Sequence, residues 1–214
     1  MINAESLVND MMEVVGCLHK DLTLFYELLG QNLLIAENTQ DLSSIWAIVR
    51  AQIRQTASFF EASCFHFRFI GGEFLKITGR KVPEEIGKYL DPQNKFKFKN
   101  NIKLLFKERI KVSLKYLAFA FKKELILDTS SKEWNALCYL IEKRDNITHP
   151  KSIHDLDVNK DDLEKVNQAI FWFSSQLFQI TGKERPILKN PTEEEISAIK
   201  KSMQAKMLAS IPKK

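Results

Sequence analysis

Apolar residues return every three to four positions through most of this chain, the period of an α-helix that buries one face. From about Ala4 to Asn38 the stripe runs through Leu7, Met11, Val14, Leu18, Leu22, Phe25 and Leu29, which predicts two helices broken near Gly30. Asp41 or Ser43 can cap the next one. Its sequence, IWAIVRAQIRQTASFFEASCFHFRFI, is the most apolar in the chain and predicts a central helix that stops at Gly71-Gly72. Residues 71 to 98 are broken by Gly71, Gly72, Gly79, Pro83, Gly87 and Pro92, leaving room for one short helix near Glu84 to Tyr89. A third long helix is expected from about Asn100 to Leu125. A fourth, capped by Ser130 or Ser131, carries Trp134, Leu137, Leu140 and Ile141 and ends before Pro150, since the residue ahead of a proline is pushed out of helical geometry. The fifth, about Lys160 to Thr181, sets Leu163, Val166, Ile170, Phe173 and Leu177 on one stripe. Beyond Gly182 the segment KERPILKNP reads as an extended linker. Thr192 then opens a last helix with Glu195 as its capping-box partner, and Met203, Met207, Leu208 and Ile211 give that helix only a thin apolar face.

The pattern therefore predicts an all-α protein: a helical bundle over residues 41–181, an N-terminal helical extension over 1–40 packed on it, and a linker with a basic C-terminal helix over 182–214. Composition agrees, because 7 glycines and 6 prolines in 214 residues are too few for a turn-rich sheet protein. Cys17, Cys64 and Cys138 are odd in number and lie far apart in apolar surroundings, so they read as reduced core residues and favour a cytoplasmic setting. The opening MINAESLVNDMMEVV carries acids and no basic n-region, and no apolar run reaches membrane-spanning length. No CxxC pair, HExxH motif or close Cys/His cluster offers metal ligands, so neither a metal nor another cofactor is expected.

The net charge of +5 is unevenly spread. Residues 95 to 123 hold ten Lys/Arg against Glu108 alone, while the chain outside this stretch and the basic tail is net acidic. A basic element on an acidic body suits a polyanionic or acidic partner.

The stretch with the most specific chemistry is Arg144-Asp145-Asn146-Ile147-Thr148-His149, followed by Pro150. It sets a permanent cation and an imidazole that titrates near neutrality five positions apart at a helix end. An arginine can grip a phosphate with two parallel N–H groups, and a histidine can take or give a proton. Metal-free RNA cleavage needs those two groups. The same residues also fit a plain helix terminus: a cation there is favoured by the helix dipole, Asn146 or Thr148 can end the helix, and His149 can be a loop residue.

The run KRDNITHPKS resembles the signature of the HEPN superfamily, the nucleotide-binding helical domains of higher eukaryotes and prokaryotes, whose pattern is Arg, a polar residue, three to five residues and then His at a helix end. Here the match is Arg144, Asp145 and His149, and the resemblance covers about residues 41 to 181. It implies an up-down bundle that forms a homodimer with both motifs lining one cleft, and an endoribonuclease in which the ribose 2′-hydroxyl attacks and a cyclic phosphate is left. It further implies a toxin of a toxin–antitoxin pair, with an antitoxin such as a minimal nucleotidyltransferase, or an effector of antiviral defence. His149 would be general base or acid, Arg144 would clamp the scissile phosphate, and Asp145 would orient His149 or a neighbouring arginine. Catalytic members often carry an acidic residue on an inner helix facing the motif arginine, and the position matched here is Glu61. Some members use the motif for scaffolding or nucleotide sensing instead.

Glu61 lies in FFEASCF, where its helical neighbours predict a half-buried carboxylate; a solvent-facing glutamate is the alternative. Lys99, Lys103, Lys107, Lys111 and Lys115 recur every four residues, a basic ridge that could track an RNA backbone or simply be a solvated helix face. The interleaved Phe96, Phe98 and Phe106 read as core. His154 reads as a loop bystander, His19 and His66 as core or boundary residues, and Trp46, Trp134 and Trp172 as packing residues. A non-catalytic helical module that binds RNA, a nucleotide or a protein partner is the competing function.

Overall fold

The computed structural model describes residues 43–93, 97–100 and 104–182, and Glu13, Lys20 and Glu27 besides. The expected break near Gly30, the linker after Gly182 and the last helix lie outside the described residues. Among them the chain forms α1 (Ser43–Thr78), α2 (Glu84–Gly87), α3 (Phe106–Ala120), α4 (Lys132–Thr148), a 3₁₀ turn (Ile153–Leu156) and α5 (Lys160–Thr181). No strand occurs among them, only an isolated antiparallel bridge between Leu90 and Phe98. The fold is all-α. No described helix is long and apolar enough to cross a membrane.

The 36 residues of α1 span roughly 54 Å at 1.5 Å per residue, and every other long helix packs on it. Ile45, Val49, Ile53, Phe60 and Phe67 form its fully buried stripe. Phe173 of α5 meets Phe59, Phe60 and Phe67 with ring centroids 5.7, 4.7 and 5.8 Å away.

Gly71-Gly72 does not stop this helix, contrary to the sequence expectation. A Cβ on Gly71 would stand 3.3 Å from the Tyr116 ring, so the missing side chain lets α3 approach α1 closely. That packing outweighs the roughly 1 kcal/mol that a mid-helix glycine costs relative to alanine. The stop comes at Gly79, whose φ of +64° permits the left-handed cap. Arg80 N–H then bonds the Leu75 carbonyl and Gly79 N–H that of Lys76, the two bonds of a Schellman cap.

The contacts of α1 with α3 rise together along both helices: Arg68 with Ser113, Gly71 with Tyr116, Arg80 with the Ala120 carbonyl. The two helices therefore run in the same sense, and the bundle departs from simple up-down order at this pair. Residues 79–105 connect the two and bring the chain back to about the middle of α1, where α3 begins. α3 is shorter than expected. It begins at Phe106, and Lys122 ends it in the left-handed conformation with φ +55°.

α4 and α5 form an antiparallel hairpin. Trp134 packs on Trp172 at one end, 4.7 Å between centroids, and Tyr139 Oη donates to Asp162 at 2.6 Å nearer the other. Ser131 caps α4 by accepting from Trp134 N–H, as expected. Asn159 and Asp162 build a capping box on α5, whose bounds match those read from the sequence.

Candidate functional site at the carboxyl end of α4

Leu137, Leu140, Arg144 and Ile147 are spaced three, four and three along α4, so they share one face of the helix. The three apolar members are 0%, 1% and 3% exposed. Arg144 thus occupies a core position at the last turn, with 27% of its side chain exposed and its Nε buried without a hydrogen bond. Asp145 Oδ1 lies 3.2 Å from that Nε, but the pair is an electrostatic contact and not an aligned hydrogen bond. Asp145 is itself 60% exposed at its side chain, so water screens the attraction. The guanidinium carbon stands 5.6 Å over the ring of Phe106, the first residue of α3. A planar cation resting on an aromatic face, with donors left over, is prepared for an anion.

His149 is the C-cap residue. Its backbone has left helical geometry (φ −129°, ψ 62°), and its N–H still bonds the Asp145 carbonyl at 2.9 Å. The imidazole is exposed and makes no hydrogen bond to a described residue; of the two partners expected for the Asp145 carboxylate, His149 or a neighbouring arginine, it is Arg144 that the carboxylate faces. Thr148 Oγ1 closes the last turn by donating to the Arg144 carbonyl at 2.7 Å.

The chain beyond the motif is fixed. Lys151 and Ser152 N–H groups both donate to Asp155, and these bonds hold its carboxyl below the usual carboxylate range. Arg50 of α1 donates to the Leu156 carbonyl at 3.2 Å, and Lys143 donates to the Asp157 carbonyl. His154 is 85% exposed, 3.2 Å from Asp157, and takes no part in the motif.

The basic ridge survives in part. Lys107, Lys111 and Lys115 lie on α3; Lys99 precedes that helix, next to the Leu90–Phe98 bridge, and Lys103 falls outside the described residues. Lys107 and Lys115 are exposed, whereas Lys111 is paired with Glu108 at 2.7 Å. Lys111 Nζ stands 5.6 Å over the ring of Trp134, which sets it beside the motif helix, and Lys107 follows Phe106, the residue on which Arg144 rests. Lys107, Lys111 and Arg144 thus form one cationic margin along the α3–α4 contact.

Glu61 is exposed, which corrects the expected half-burial: the buried face of α1 passes through Phe60, Ser63 and Cys64 on either side of it. The carboxylate beside Arg144 is that of Asp145, not Glu61. His66 is half-buried with its pKa lowered by burial, as a boundary histidine should be. Phe106, read from the sequence as core alone, is also a site residue. The signal that could have found the arrangement is the 3-4-3 spacing that puts Arg144 among leucines and isoleucine. Among the described residues no three His, Cys, Asp or Glu side chains converge as metal ligands would.

Compared with known proteins, the chain matches no protein family, no curated protein and no solved structure.

Proposed function

We propose that this chain is a metal-independent endoribonuclease of the HEPN type, a cytoplasmic toxin or phage-defence effector. The observation that carries the reading is Arg144: a cation set in the core stripe of α4, its guanidinium laid on Phe106 and its Nε left without a hydrogen bond. Burying part of a cation is costly unless its charge is answered, and a phosphate at the exposed part of the guanidinium would add to what the Asp145 contact gives. In the proposed step His149 takes the 2′-hydroxyl proton as that oxygen bonds to phosphorus. The bond from phosphorus to the 5′-oxygen then breaks, and the departing oxygen takes a proton from the histidine of a second copy across a shared cleft. Arg144 offsets the charge that grows on the non-bridging oxygens. Lys107 and Lys111 would hold the flanking backbone. An antitoxin such as a minimal nucleotidyltransferase would be the restraining partner.

The test is incubation of the purified protein with single-stranded RNA in EDTA. Cleavage leaving a 2′,3′-cyclic phosphate is expected, abolished by Arg144→Ala and by His149→Ala; cleavage that survives both substitutions overturns the reading. One observation favours the alternative of a non-catalytic RNA-, nucleotide- or protein-binding module: the His149 imidazole is exposed, and the Asp145 carboxylate faces Arg144. Under that alternative RNA binding is untouched by His149→Ala and no cyclic phosphate is formed.

A further inference from the structure

From Val166 to its end α5 carries no charged residue, in a chain that is 28% charged. Phe171 and Phe178 stand two turns apart on its outward face, 58% and 43% exposed. Ser174 and Ser175 lie between the two rings. Their hydroxyls donate within the helix, to the Ile170 and Trp172 carbonyls at 2.7 Å each, so a partner laid over them strands no donor. Toward the start of the helix the same face turns acidic: Glu164 is seven residues before Phe171, Asp161 is three residues earlier still, and both are exposed. Lys165 is turned aside, 3.7 Å over the Tyr139 ring.

We propose that this face is the docking surface for the chain's own C-terminal segment, residues 192–211, folded back antiparallel along α5. Gly182, in the left-handed conformation with φ +64° and its N–H on the Phe178 carbonyl at 2.8 Å, turns the chain off the helix axis. The nine residues KERPILKNP then separate it from Thr192, ample for a reversal between two helices. The helix that the sequence opens at Thr192 sets Ile196, Ile199, Met203 and Met207 on one stripe, and its 20 residues would span roughly 30 Å, close to the length of α5. Ile196 and Met203 are seven residues apart, as are Phe178 and Phe171, so each meets one ring when Thr192 is level with Gly182. Charge agrees in that register. Residues 200–214 hold five lysines and no acid, and Lys206 and Lys213 come within one turn of Glu164 and Asp161. A narrow apolar stripe edged with lysine thus matches a narrow apolar face that ends in carboxylates. The match draws on none of the motif residues, which leaves it independent of the cleavage reading.

Hydrogen exchange of the full chain, read by mass spectrometry, tests this. A helix of this length and composition is marginal alone in water, so protection of amides 196–208 reports docking. Exchange there should be at least about tenfold slower than in unstructured chain, in the wild type and in Arg144→Ala. Phe171→Ser combined with Phe178→Ser should remove the protection with the bundle still folded, because both rings are exposed. Met203→Asp, which alters no residue of the bundle, should remove it as well. Lys206→Glu should weaken it by a smaller factor, and adding Glu164→Lys should restore it. Protection should persist through a roughly hundredfold dilution, since an intramolecular contact does not depend on concentration. Wild-type amides that exchange as fast as unstructured chain would overturn the proposal. So would protection that survives both the phenylalanine and the Met203 variants, or protection lost on dilution, which would make the occupant a second copy.

Discussion

Two arginines sit on the inward faces of helices, Arg68 on α1 and Arg144 on α4, and they are held in opposite ways. Arg68 is 7% exposed, donates from Nη1 to the Cys64 carbonyl at 2.9 Å and to Ser113 Oγ at 2.6 Å, and lies 4.1 Å over Phe98. Ser113 in turn donates to the Arg109 carbonyl at 2.7 Å, so the cation ends a chain of bonds that ties α1 to α3. Burial, with the Arg109 charge adding to it, pulls the Arg68 pKa down to about 10. Arg144 has the stacking ring but not the aligned bonds. A buried cation whose donors are spent on the protein serves the fold, and one that keeps its donors unspent is available to a ligand.

The widest separation between the two should come from alanine substitution. Arg144→Ala is expected to lower RNA cleavage about 10²–10³-fold while leaving the urea midpoint nearly unchanged, because the guanidinium forms no aligned bond that would be lost. Arg68→Ala should do the reverse. It empties a buried, bonded position, so unfolding free energy should fall by about 3 kcal/mol, with cleavage per folded molecule intact. If Arg144→Ala unfolds the protein as readily as Arg68→Ala does, the distinction between the two sites fails.

The same contrast should appear in alkaline solution. Tyr116, packed on Gly71 near Arg68, has its pKa raised to about 12 by burial, with Glu73 adding to the shift. The unfolded chain gives up that proton near pH 10, whereas the folded chain keeps it. Stability carried by the neutral phenol is therefore fully present below about pH 10 and is lost as pH rises toward 12. The loss should be on the order of 2 kcal/mol for a shift of this size. Burial moves Tyr139 the same way, and its bond to Asp162 adds to the shift. Urea midpoints at successive pH values should fall above pH 10 in the wild type and fall less in Tyr116→Phe. An unchanged slope in that variant would place the alkaline sensitivity elsewhere than at the α1–α3 contact.

Features that depend on neighbours three and four residues away are legible in the sequence itself. The bounds of α5, the Ser131 cap of α4 and the end of that helix before Pro150 all follow from local chemistry. The departures are tertiary. Gly71-Gly72 has the composition of a stop, and only the Tyr116 ring pressed against it explains why the helix continues for nearly two more turns. The lysine period holds on a helix from Lys107 to Lys115, but Lys99 lies beside the Leu90–Phe98 bridge and not on a helix. Apolar sequence neighbours predict half-burial for Glu61, yet the buried face of α1 turns away from it. Arg144 and His149 are visible in the sequence as a pair of chemistries. That Arg144 rests on Phe106 depends on the packing of α3 against α4, which no local pattern encodes.

The smallest predicted effect sharpens how the motif end of the molecule handles charge. Lys107 is exposed, whereas Lys111 keeps 27% of its side chain exposed, is paired with Glu108, and stands 5.6 Å over Trp134. An exposed lysine that contacts a phosphate releases a counterion, and each such contact on a single strand adds roughly 0.7 to the slope of log affinity against log salt. Lys107→Glu should therefore weaken RNA binding about tenfold, or ~1.4 kcal/mol, and flatten the salt slope. Lys111→Glu should do less, because its charge is already half answered by Glu108 and reversing it also strands that glutamate. Turnover at saturating RNA should be unchanged in both, since neither lysine touches the reacting atoms in the proposed step. A loss of turnover in Lys107→Glu as deep as that in Arg144→Ala would move the proposed catalytic cation from α4 to α3.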